Sequence, residues 1–473
     1  MRDLVEKLFV LAIHGRGGYH QAVQIAPAGD RAVLLDLGDV TAGELRAAGA
    51  YVRTLPGVVR VTPGHSSLYV IFDGAWSAEA TLPLSYPREF ESGGAASALH
   101  VPVAFDGPDL AEFLAHARLT REAFLARIPD IRLVARYLGF RGGFAYLDGW
   151  PAEWSMPRRP TSRPVAAGSF AIGGSVAAFY PIDSPGGWNL LGRTDLDLEN
   201  AIEAGDEVRI RAVESSSLQA KVTRRLDDSK TRRPPFELHA PLATWTGTPF
   251  DDVAAALANE AAGNDAAAPL LECPMVGPRV RFPHDAVIAW CTPGLTVATE
   301  RVRAGDERTF GRVTGGLRAY LAVGTAAVRN AAVGTAAVPA AAVAASRRHE
   351  TAGQTPARQP AGRRSGDRHT IRARNGPHDR GLTRVECEVT PQLDRVGIRL
   401  RPLQPLRIDI PADLKSIGMQ CGTVQLHPDG SLVAMGPDHP VTGGYLQPLT
   451  VLSAERWKLA QLVPGERITF VTA

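Results

Sequence analysis

The sequence predicts a protein of the α+β or mainly β class: an N-terminal α+β subdomain, a β-barrel, and then a second β-rich unit. Short runs of alternating apolar residues, such as RAVLLDL and SSLYVIFD, are typical of half-buried strands. After Gly139 helical periodicity stops, and brief β runs alternate with glycine- and proline-rich turns until about Val213. That pattern indicates a closed or nearly closed barrel.

Length and composition narrow the class further. A chain of 473 residues is too long for one ordinary core, so we expect about two to four domains. The net charge of +3 is too small to indicate a nucleic-acid partner. The apolar run from Leu8 to Ile13 is too short to span a membrane, and no membrane partner is expected. The sequence contains no cysteine pair or cysteine–histidine cluster at zinc spacing, which favours a reduced, cytoplasmic compartment and no metal site.

The first elements follow from local signals. Residues 1–24 are interpreted as a disordered extension, and residues 25–137 as the α+β subdomain with a helix-like piece from Ala42 to Leu55. A strand is expected from Ala98 to Gly107, followed by a pair of helices. Thr120 stands at the N-cap of the second helix, before Glu122 and an apolar face.

The barrel, residues 138–215, carries three dense glycine–proline–aromatic turns: Gly139 to Leu147, Met156 to Ile172, and Phe179 to Asp195. Glycine allows close backbone approach and proline fixes φ, so such turns are shaped loops. We expect them to converge on a common hollow at the barrel rim, with Tyr146, Arg163 and Trp188 around it. The alternative is that they are only tight turns, with Trp188 filling the barrel mouth.

The second half is more irregular. Residues 216–249 are basic and poor in strand formers and are interpreted as a linker, and residues 250–324 as a β-rich unit that begins with an amphipathic helix from Phe250 to Asp265. Residues 325–384 are rich in alanine, proline and arginine and are predicted to be disordered, with an arginine-rich nucleic-acid arm as the alternative. Residues 385–473 complete the unit.

Near the C-terminus, polar residues cluster around the turns HPDG and TGGY. Asp438 and His439 are candidates for acid–base work, although such a pair is more often a capping or solvated pair. Arg395 and Arg399, in the run LDRVGIRL, are candidates for binding an anionic group.

These motifs carry a family resemblance. The run from Ala26 to Val213, with PGGW at Pro185 to Trp188, resembles the first component of the allophanate-hydrolase-subunit or carboxyltransferase-domain family, which includes the B subunit of ATP-dependent 5-oxoprolinase. The segment from Gly422 to Leu452 resembles the second component, the C subunit of that enzyme. The resemblance implies cyclophilin-like barrels, ATP and Mg²⁺, a small amide substrate, and a separate partner similar to the A subunit of 5-oxoprolinase.

The chain departs from the family pattern in three places. Gly142 replaces a proline of the first turn, and Ala126-Arg127-Ile128 stands where the family has a histidine. The opening motif and the later glycine-rich motifs of the second component are missing. The two segments that stand in their places have a composition typical of a gene read out of frame. We therefore expect a second half that is degraded in part.

The predicted site combines both halves. The catalytic candidates are Arg158, Arg163 and Asp438. The ligand- or nucleotide-binding candidates are Gly139, Phe140, Gly142, Gly143, Phe144, Tyr146, Pro157, Gly168, Ser169, Tyr180, Pro181, Gly186, Gly187, Trp188, Arg399, Gln425, Thr442, Gly443, Gly444 and Tyr445.

By resemblance, the favoured function is the fused B–C component of a 5-oxoprolinase that converts 5-oxoproline to glutamate with ATP hydrolysis. The alternatives are a carboxyltransferase unit of the urea carboxylase type, a non-catalytic histidine-kinase inhibitor, or an inactive relic. The chain has no A-M-K-M biotinylation motif, so no bound biotin is expected and a carboxyltransferase would depend on partners. Assembly into a homo-oligomer stays open.

Overall fold

The computed structural model describes residues 12–14, 20–74, 98–139, 143–198, 201–202, 204–218, 236–239, 242–325, 334–337, 369–411 and 414–473. They contain two closed barrels of seven strands each, and a sheet-based subdomain precedes each barrel along the chain. The predicted α+β and mainly β class, with two β-rich units, is confirmed. None of the helices within these ranges is long and apolar enough to span a membrane.

The N-terminal subdomain is a four-stranded antiparallel sheet with one helix. After a short hairpin of β1 (Ala12–His14) and β2 (His20–Ala22), the strands are β3 (Gln24–Pro27), β4 (Ala32–Asp36), β5 (Val58–Pro63) and β6 (Ser67–Phe72), in the order β3-β4-β6-β5. Helix α1 (Ala42–Arg53) packs on one face of this sheet.

Helix α1 begins at a capping box. The Thr41 hydroxyl accepts a 3.2 Å hydrogen bond from the Glu44 amide, and the Glu44 carboxylate accepts a 2.8 Å bond from the Thr41 amide. Two backbone donors of the first turn are thereby satisfied. Leu45, Ala48 and Val52 recur at helical spacing and are buried against the sheet.

The first barrel has the closed strand order β11-β12-β9-β8-β15-β7-β14. Its strands are β7 (Leu99–Ala104), β8 (Leu133–Leu138), β9 (Ala145–Asp148), β11 (Ser169–Gly173), β12 (Val176–Phe179), β14 (Asn189–Arg193) and β15 (Glu207–Val213). Helices α2 (Leu110–Ala117) and α3 (Arg121–Arg127) add Phe113 and Phe124 to the same core. The predicted N-cap is confirmed, since the Thr120 hydroxyl accepts a 3.2 Å bond from the Ala123 amide.

Two further strands, β10 (Arg163–Val165) and β13 (Ser184–Gly186), form a separate antiparallel pair that we call flap 1. Residues along the barrel strands alternate between two apolar clusters. Phe170, Ile172, Ala177 and Phe179 belong to the barrel core, whereas Ala171 and Ala178 belong to a second cluster that includes Val165 of flap 1. Because side chains alternate between the faces of a strand, flap 1 covers the outer face of the barrel wall.

The second half opens with a six-stranded sheet, ordered β17-β18-β23-β20-β21-β24, and a three-stranded sheet, ordered β16-β19-β22. The strands are β16 (Glu237–His239), β17 (Thr244–Thr246), β18 (Leu270–Pro274), β19 (Arg279–Arg281), β20 (Ala286–Cys291), β21 (Thr296–Val302), β22 (Glu307–Thr309), β23 (Arg318–Thr325) and β24 (Gly334–Ala337). Helix α4 (Asp252–Ala262) is capped by Asp251 and ends at Gly263 with φ 80°, within the predicted helix.

The second barrel has the order β25-β32-β29-β30-β27-β26-β33. Its strands are β25 (Thr370–Asn375), β26 (Arg384–Leu393), β27 (Gly397–Pro402), β29 (Thr423–Leu426), β30 (Leu432–Met435), β32 (Leu446–Val451) and β33 (Arg467–Thr472). The pair β28 (Ile417–Gly418) and β31 (Thr442–Gly443) forms flap 2, and α5 (Arg456–Ala460) precedes the last strand.

Two predicted boundaries need correction. Residues 237–239 and 244–246, expected in a linker, form strands that pair with β19 and β18 of the second half. Residues 370–375, expected to be disordered, form barrel strand β25, in which Ile371 and Ala373 are buried at alternate positions. Residues 334–337 of the same predicted segment form β24, which pairs with β21. Composition concealed these strands because a few apolar residues suffice when a neighbouring strand supplies hydrogen bonds. The remaining linker and low-complexity residues, 219–235, 240–241, 326–333 and 338–368, lie outside the described residues, as does most of the predicted extension, whose residues 12–14 and 20–22 form the β1–β2 hairpin.

Candidate functional site

A cluster of aromatic rings lies on the outer face of the first barrel, under flap 1. It consists of Phe144, Tyr146, Tyr180 and Trp188, and we call it the aromatic wall. The Phe144 ring centroid lies 5.2 Å from that of Tyr180 and 5.8 Å from that of Trp188, and Tyr146 lies 5.7 Å from Trp188. All three contacts are edge-to-face, the geometry that ring quadrupoles favour. Two of the three predicted rim residues, Tyr146 and Trp188, therefore do meet, but on the barrel's outer face.

Glycines in the predicted turns make room for these rings. A Cβ atom on Gly186 would lie 2.1 Å from the Tyr180 hydroxyl, and one on Gly173 would lie 2.8 Å from the Trp188 ring. Neither distance is sterically tolerable, so these positions require glycine for close approach. The glycines accommodate the chain's own aromatic side chains.

Arg158 lies against the aromatic wall. Its guanidinium carbon is 4.9 Å from the centroid of the Trp188 ring, a cation–π contact. Within the described part of the chain no carboxylate lies within ion-pair distance of Arg158, and its side chain is exposed. Burial raises the pKa of Tyr180, and the charge on Arg158 opposes that shift. The positive charge of Arg158 therefore acts on the Tyr180 hydroxyl.

A buried asparagine, Asn189, positions Arg158. Its side-chain amide donates a 2.9 Å hydrogen bond to the carbonyl oxygen of Pro157, and its side chain is almost fully buried. The same amide also reaches the Ile172 carbonyl at 3.5 Å. The segment that carries Arg158 is therefore tied to the barrel wall, a link that sequence reasoning missed because no local pattern marks Asn189.

Arg163 does not join Arg158. Its guanidinium pairs with the buried carboxylate of Asp109, which also accepts a 2.7 Å bond from Arg159 and a 2.7 Å bond from the Leu190 amide. Arg163 nevertheless stands on flap 1 opposite Gly186, and its charge acts on Tyr180 of the aromatic wall. It differs from Arg158 in that Asp109, at the start of α2, neutralises its guanidinium.

The second barrel meets the first beside the aromatic wall. The Thr442 hydroxyl, in flap 2, donates a 3.1 Å bond to the carbonyl oxygen of Leu138. A Cβ on Gly139 would lie 2.1 Å from that hydroxyl and 3.0 Å from the Tyr146 ring. The predicted residues Gly139 and Thr442, from opposite halves, are therefore in contact.

Flap 2 covers the outer face of its barrel, as flap 1 does. Gln425 is buried, and a Cβ on Gly443 would lie 2.7 Å from its side-chain nitrogen. The Gln425 amide also approaches the sulfur of Met419 at 3.9 Å. Gln425, Thr442 and Gly443 thus form the second barrel's part of the junction.

Tyr137 is a junction residue that sequence reasoning missed. Its ring stacks on Tyr146 with a centroid distance of 4.5 Å, and its hydroxyl interacts with Ser416 of the second barrel. Pairing between β8 and β9 shifts register between Ala135 and Tyr137. This bulge moves Tyr137 off the core face that strict alternation predicts.

Several predicted residues are engaged elsewhere. Asp438 accepts bonds of 2.7 and 2.9 Å from Arg395, so its carboxylate serves an ion pair. Arg399 donates 2.8 Å bonds to Asp429 and to Ser431. In both cases the predicted residue forms an ion pair with an oppositely charged residue of the second half.

The remaining predicted residues have local contacts. Gly168 donates a 2.6 Å bond to the Tyr180 carbonyl, the Ser169 hydroxyl donates to the Ala166 carbonyl at 2.7 Å, and the Gly187 carbonyl accepts a 2.7 Å bond from the Arg159 amide. The Tyr445 ring stacks on His427 at 4.1 Å. Gly143 has φ 80°, Pro181 follows Tyr180 in the turn, and a Cβ on Gly444 would meet Ser416 at ordinary contact distance, 3.5 Å. Phe140 and Gly142 lie outside the described residues.

The junction can therefore offer one guanidinium that has no carboxylate partner among the described residues, backed by a buried aromatic cluster. That arrangement suits an anionic ligand. Across the described ranges, no three His, Cys, Asp or Glu side chains form a group able to hold a metal ion.

Two family models and several relatives match this architecture. The family model for the carboxyltransferase domain, subdomain C and D, matches residues 23–204, and the model for its subdomain A and B matches residues 245–472. The chain is 33% identical over 170 residues to the 5-oxoprolinase B subunit of Escherichia coli O157:H7, which is 33% of this chain and 78% of that protein. It is 27% identical over 253 residues to the 5-oxoprolinase C subunit of Escherichia coli K12, which is 47% of this chain and 81% of that protein.

A solved structure resembles both halves together. The crystal structure of TTHA0988 matches with a TM-score of 0.67 and 26% identity, over 94% of this chain and 99% of that one. The two matched models cover most of both barrels and of both sheet subdomains, with β15 and β16 between the matched ranges. The chain belongs to the carboxyltransferase-domain family, the C–D part first and the A–B part second.

Proposed function

We propose that this chain is the B–C component of an ATP-dependent 5-oxoprolinase, acting with a separate protein similar to that enzyme's A subunit. The observation that carries the proposal is the contact between Gly139 and Thr442, which joins the B-like and C-like halves beside Arg158. Relatives named as the B and C subunits of 5-oxoprolinase match 33% and 47% of this chain.

In this proposal, the lactam oxygen of 5-oxoproline attacks the γ-phosphorus of Mg²⁺-bound ATP, and ADP leaves. Water from the partner's site then adds to the activated lactam carbon. The C–N bond breaks as its nitrogen takes up a proton, which gives γ-glutamyl phosphate, and a second water hydrolyses this acyl phosphate to glutamate and phosphate. Such chemistry needs a cation where phosphate charge develops or where the substrate carboxylate rests.

Arg158 supplies that cation. It has no carboxylate partner in the described part of the chain and rests on the Trp188 ring, so ligand binding breaks no existing ion pair. Arginine's planar fork binds carboxylate and phosphate by paired hydrogen bonds. The aromatic wall is buried behind it, and the Trp188 ring fixes the position of this guanidinium.

The test is turnover by the full chain mixed with its cognate A-like protein. We expect ADP and glutamate to appear in equal amounts and only when 5-oxoproline is present. Arg158→Met should lower kcat/KM by about a hundredfold, because a charge-assisted contact is lost, and Arg158→Lys should restore part of it.

The matched control is Arg193→Met. Arg193 lies on the same barrel but is paired with Asp106 at 3.0 Å on the surface. Its loss should leave turnover unchanged. Absence of ADP release by a folded, complete mixture, or equal effects of both substitutions, would reject the proposal.

A further inference from the structure

A second positively charged region lies away from the aromatic wall, where the N-terminal sheet packs on the second barrel. On β5, Val61 belongs to the core beneath α1, so its neighbours Arg60 and Thr62 face the opposite side. Thr62 pairs with Tyr69, which is fully buried. A Cβ on Gly418 of flap 2 would lie 2.3 Å from Tyr69. Arg60 therefore projects from a face held against the second barrel.

Arg456 approaches the same place from the second barrel. Its Nη2 donates a 2.8 Å bond to the side-chain oxygen of Gln420, whose amide nitrogen donates a 3.0 Å bond to the carbonyl of Ala28 in the N-terminal subdomain. The Nε atom of Arg456 is buried and has no hydrogen-bond acceptor among the described residues. A buried guanidinium donor without an acceptor costs free energy and marks this contact as incompletely satisfied.

The two guanidinium groups lie within electrostatic range of each other. Partial burial lowers the pKa of Arg60, and the charge on Arg456 acts in the same direction. Within the described ranges, neither arginine has a carboxylate within 4.0 Å. The Arg60 side chain also keeps access to solvent.

The neighbouring groups do not cancel this charge. Asp438 is already paired with Arg395. His439 donates from Nδ1 to the Pro440 carbonyl at 2.7 Å, and burial, with help from Arg60 and Arg456, lowers its pKa to about 4. Its ring is therefore neutral at pH 7. Cys421 is kept protonated, since burial raises its pKa to about 11.

We propose that Arg60 and Arg456 form a binding site for a phosphate group, placed between the two halves of the chain and separate from the Arg158 site. Two guanidinium groups match a dianionic, tetrahedral acceptor, which arginine binds by paired hydrogen bonds. A bound phosphate would remove the repulsion between the arginines and connect β5 of the first half to α5 of the second. The group comes from inorganic phosphate or from the phosphoryl end of a nucleotide.

Calorimetric titration of the full chain tests the site, with inorganic phosphate in one arm and ADP without metal in the other, both at constant ionic strength. Arg60→Gln and Arg456→Gln should each weaken phosphate binding about tenfold or more. Arg193→Gln should leave phosphate binding unchanged. Loss of ADP binding along with phosphate identifies the nucleotide as a source, and loss of phosphate binding alone identifies the free anion.

Thermal unfolding supplies a second measurement, in which a substitution is expected to raise the thermal midpoint. In phosphate-free buffer, Arg60→Gln should raise the midpoint because it removes like-charge repulsion, whereas added phosphate should raise the midpoint of the wild type alone. If Arg60 had only a structural role, the Arg60→Gln variant would have a lower thermal midpoint than the wild type in every buffer. Failure of the wild type to bind phosphate, or equal phosphate binding by wild type and both variants, would overturn the proposal.

Discussion

The hydroxyl of Thr442 donates a 3.1 Å hydrogen bond to the carbonyl oxygen of Leu138, although 304 positions separate the two residues along the chain. This bond joins flap 2 of the second barrel to the end of β8 in the first. Next to it, Gly139 leaves just enough space for the Thr442 side chain. The junction beside Arg158 therefore depends on one hydrogen bond and one missing Cβ.

Substitution of Gly139 by alanine should disrupt this junction. The new Cβ would lie 2.1 Å from the Thr442 hydroxyl, so the barrels must separate locally. We expect a lower thermal midpoint and at least about a tenfold loss of 5-oxoproline-dependent ATP hydrolysis, since small displacements of bound groups are costly to rate. The double variant Gly139→Ala/Thr442→Ala removes the clashing oxygen and should recover part of both. No recovery in the double variant would contradict this account.

Loss of the Asp109 charge should destabilise the first barrel. The side chain is 4% exposed and holds Arg159, Arg163 and the Leu190 amide. Asp109→Asn should lower the free energy of unfolding by about 2–4 kcal/mol, because two guanidinium groups lose their anion in a buried place. The control is Glu112→Gln, since Glu112 also accepts from Arg159 at 2.7 Å but is 59% exposed. Glu112→Gln should lower the free energy of unfolding by less than about 1 kcal/mol. If chemical denaturation shows similar losses of stability for both variants, the argument from burial is refuted.

Asp438→Asn should leave catalysis nearly intact. Its carboxylate is bound to Arg395, which also lies 3.0 Å from the buried Glu272. An ion-pair role predicts a modest loss of stability and a kcat within about twofold of the wild type. Steady-state kinetics of the complete mixture provide the measurement. A hundredfold fall in kcat without loss of stability would instead make Asp438 catalytic, as its sequence context suggests.

His439 should make stability depend on pH. Burial, with Arg60 and Arg456, lowers its pKa from 6.5 to about 4. Between these values the unfolded chain binds a proton that the folded chain does not, so stability is complete above pH 6.5 and falls as pH drops toward 4. The loss attributable to this residue is up to about 3 kcal/mol. Urea unfolding from pH 7.5 to pH 4.5 should show a smaller decline for His439→Gln, and parallel curves would contradict the assignment.

Much of the fold was predictable because its signals are local. Thr120 caps α3 where the sequence places an N-cap, and α4 lies within the predicted helix from Phe250 to Asp265. The turns that bear Gly139, Gly186 and Thr442 lie where glycine density predicted shaped loops. Strand β25 was missed because its arginines alternate with only two buried residues, a pattern that composition alone does not distinguish from a polar segment.

The sequence by itself determined where strands, caps and close-approach glycines lie, since alternation and helix capping act over a few residues. Only the tertiary structure decided that Arg158 stays unpaired among the described residues while Arg163 is neutralised by Asp109, 54 positions away. It also decided that Tyr137 joins the aromatic wall through a β-bulge. Ion pairs and ring contacts depend on which distant segments the barrels bring together, and residue spacing along the chain carries no record of that.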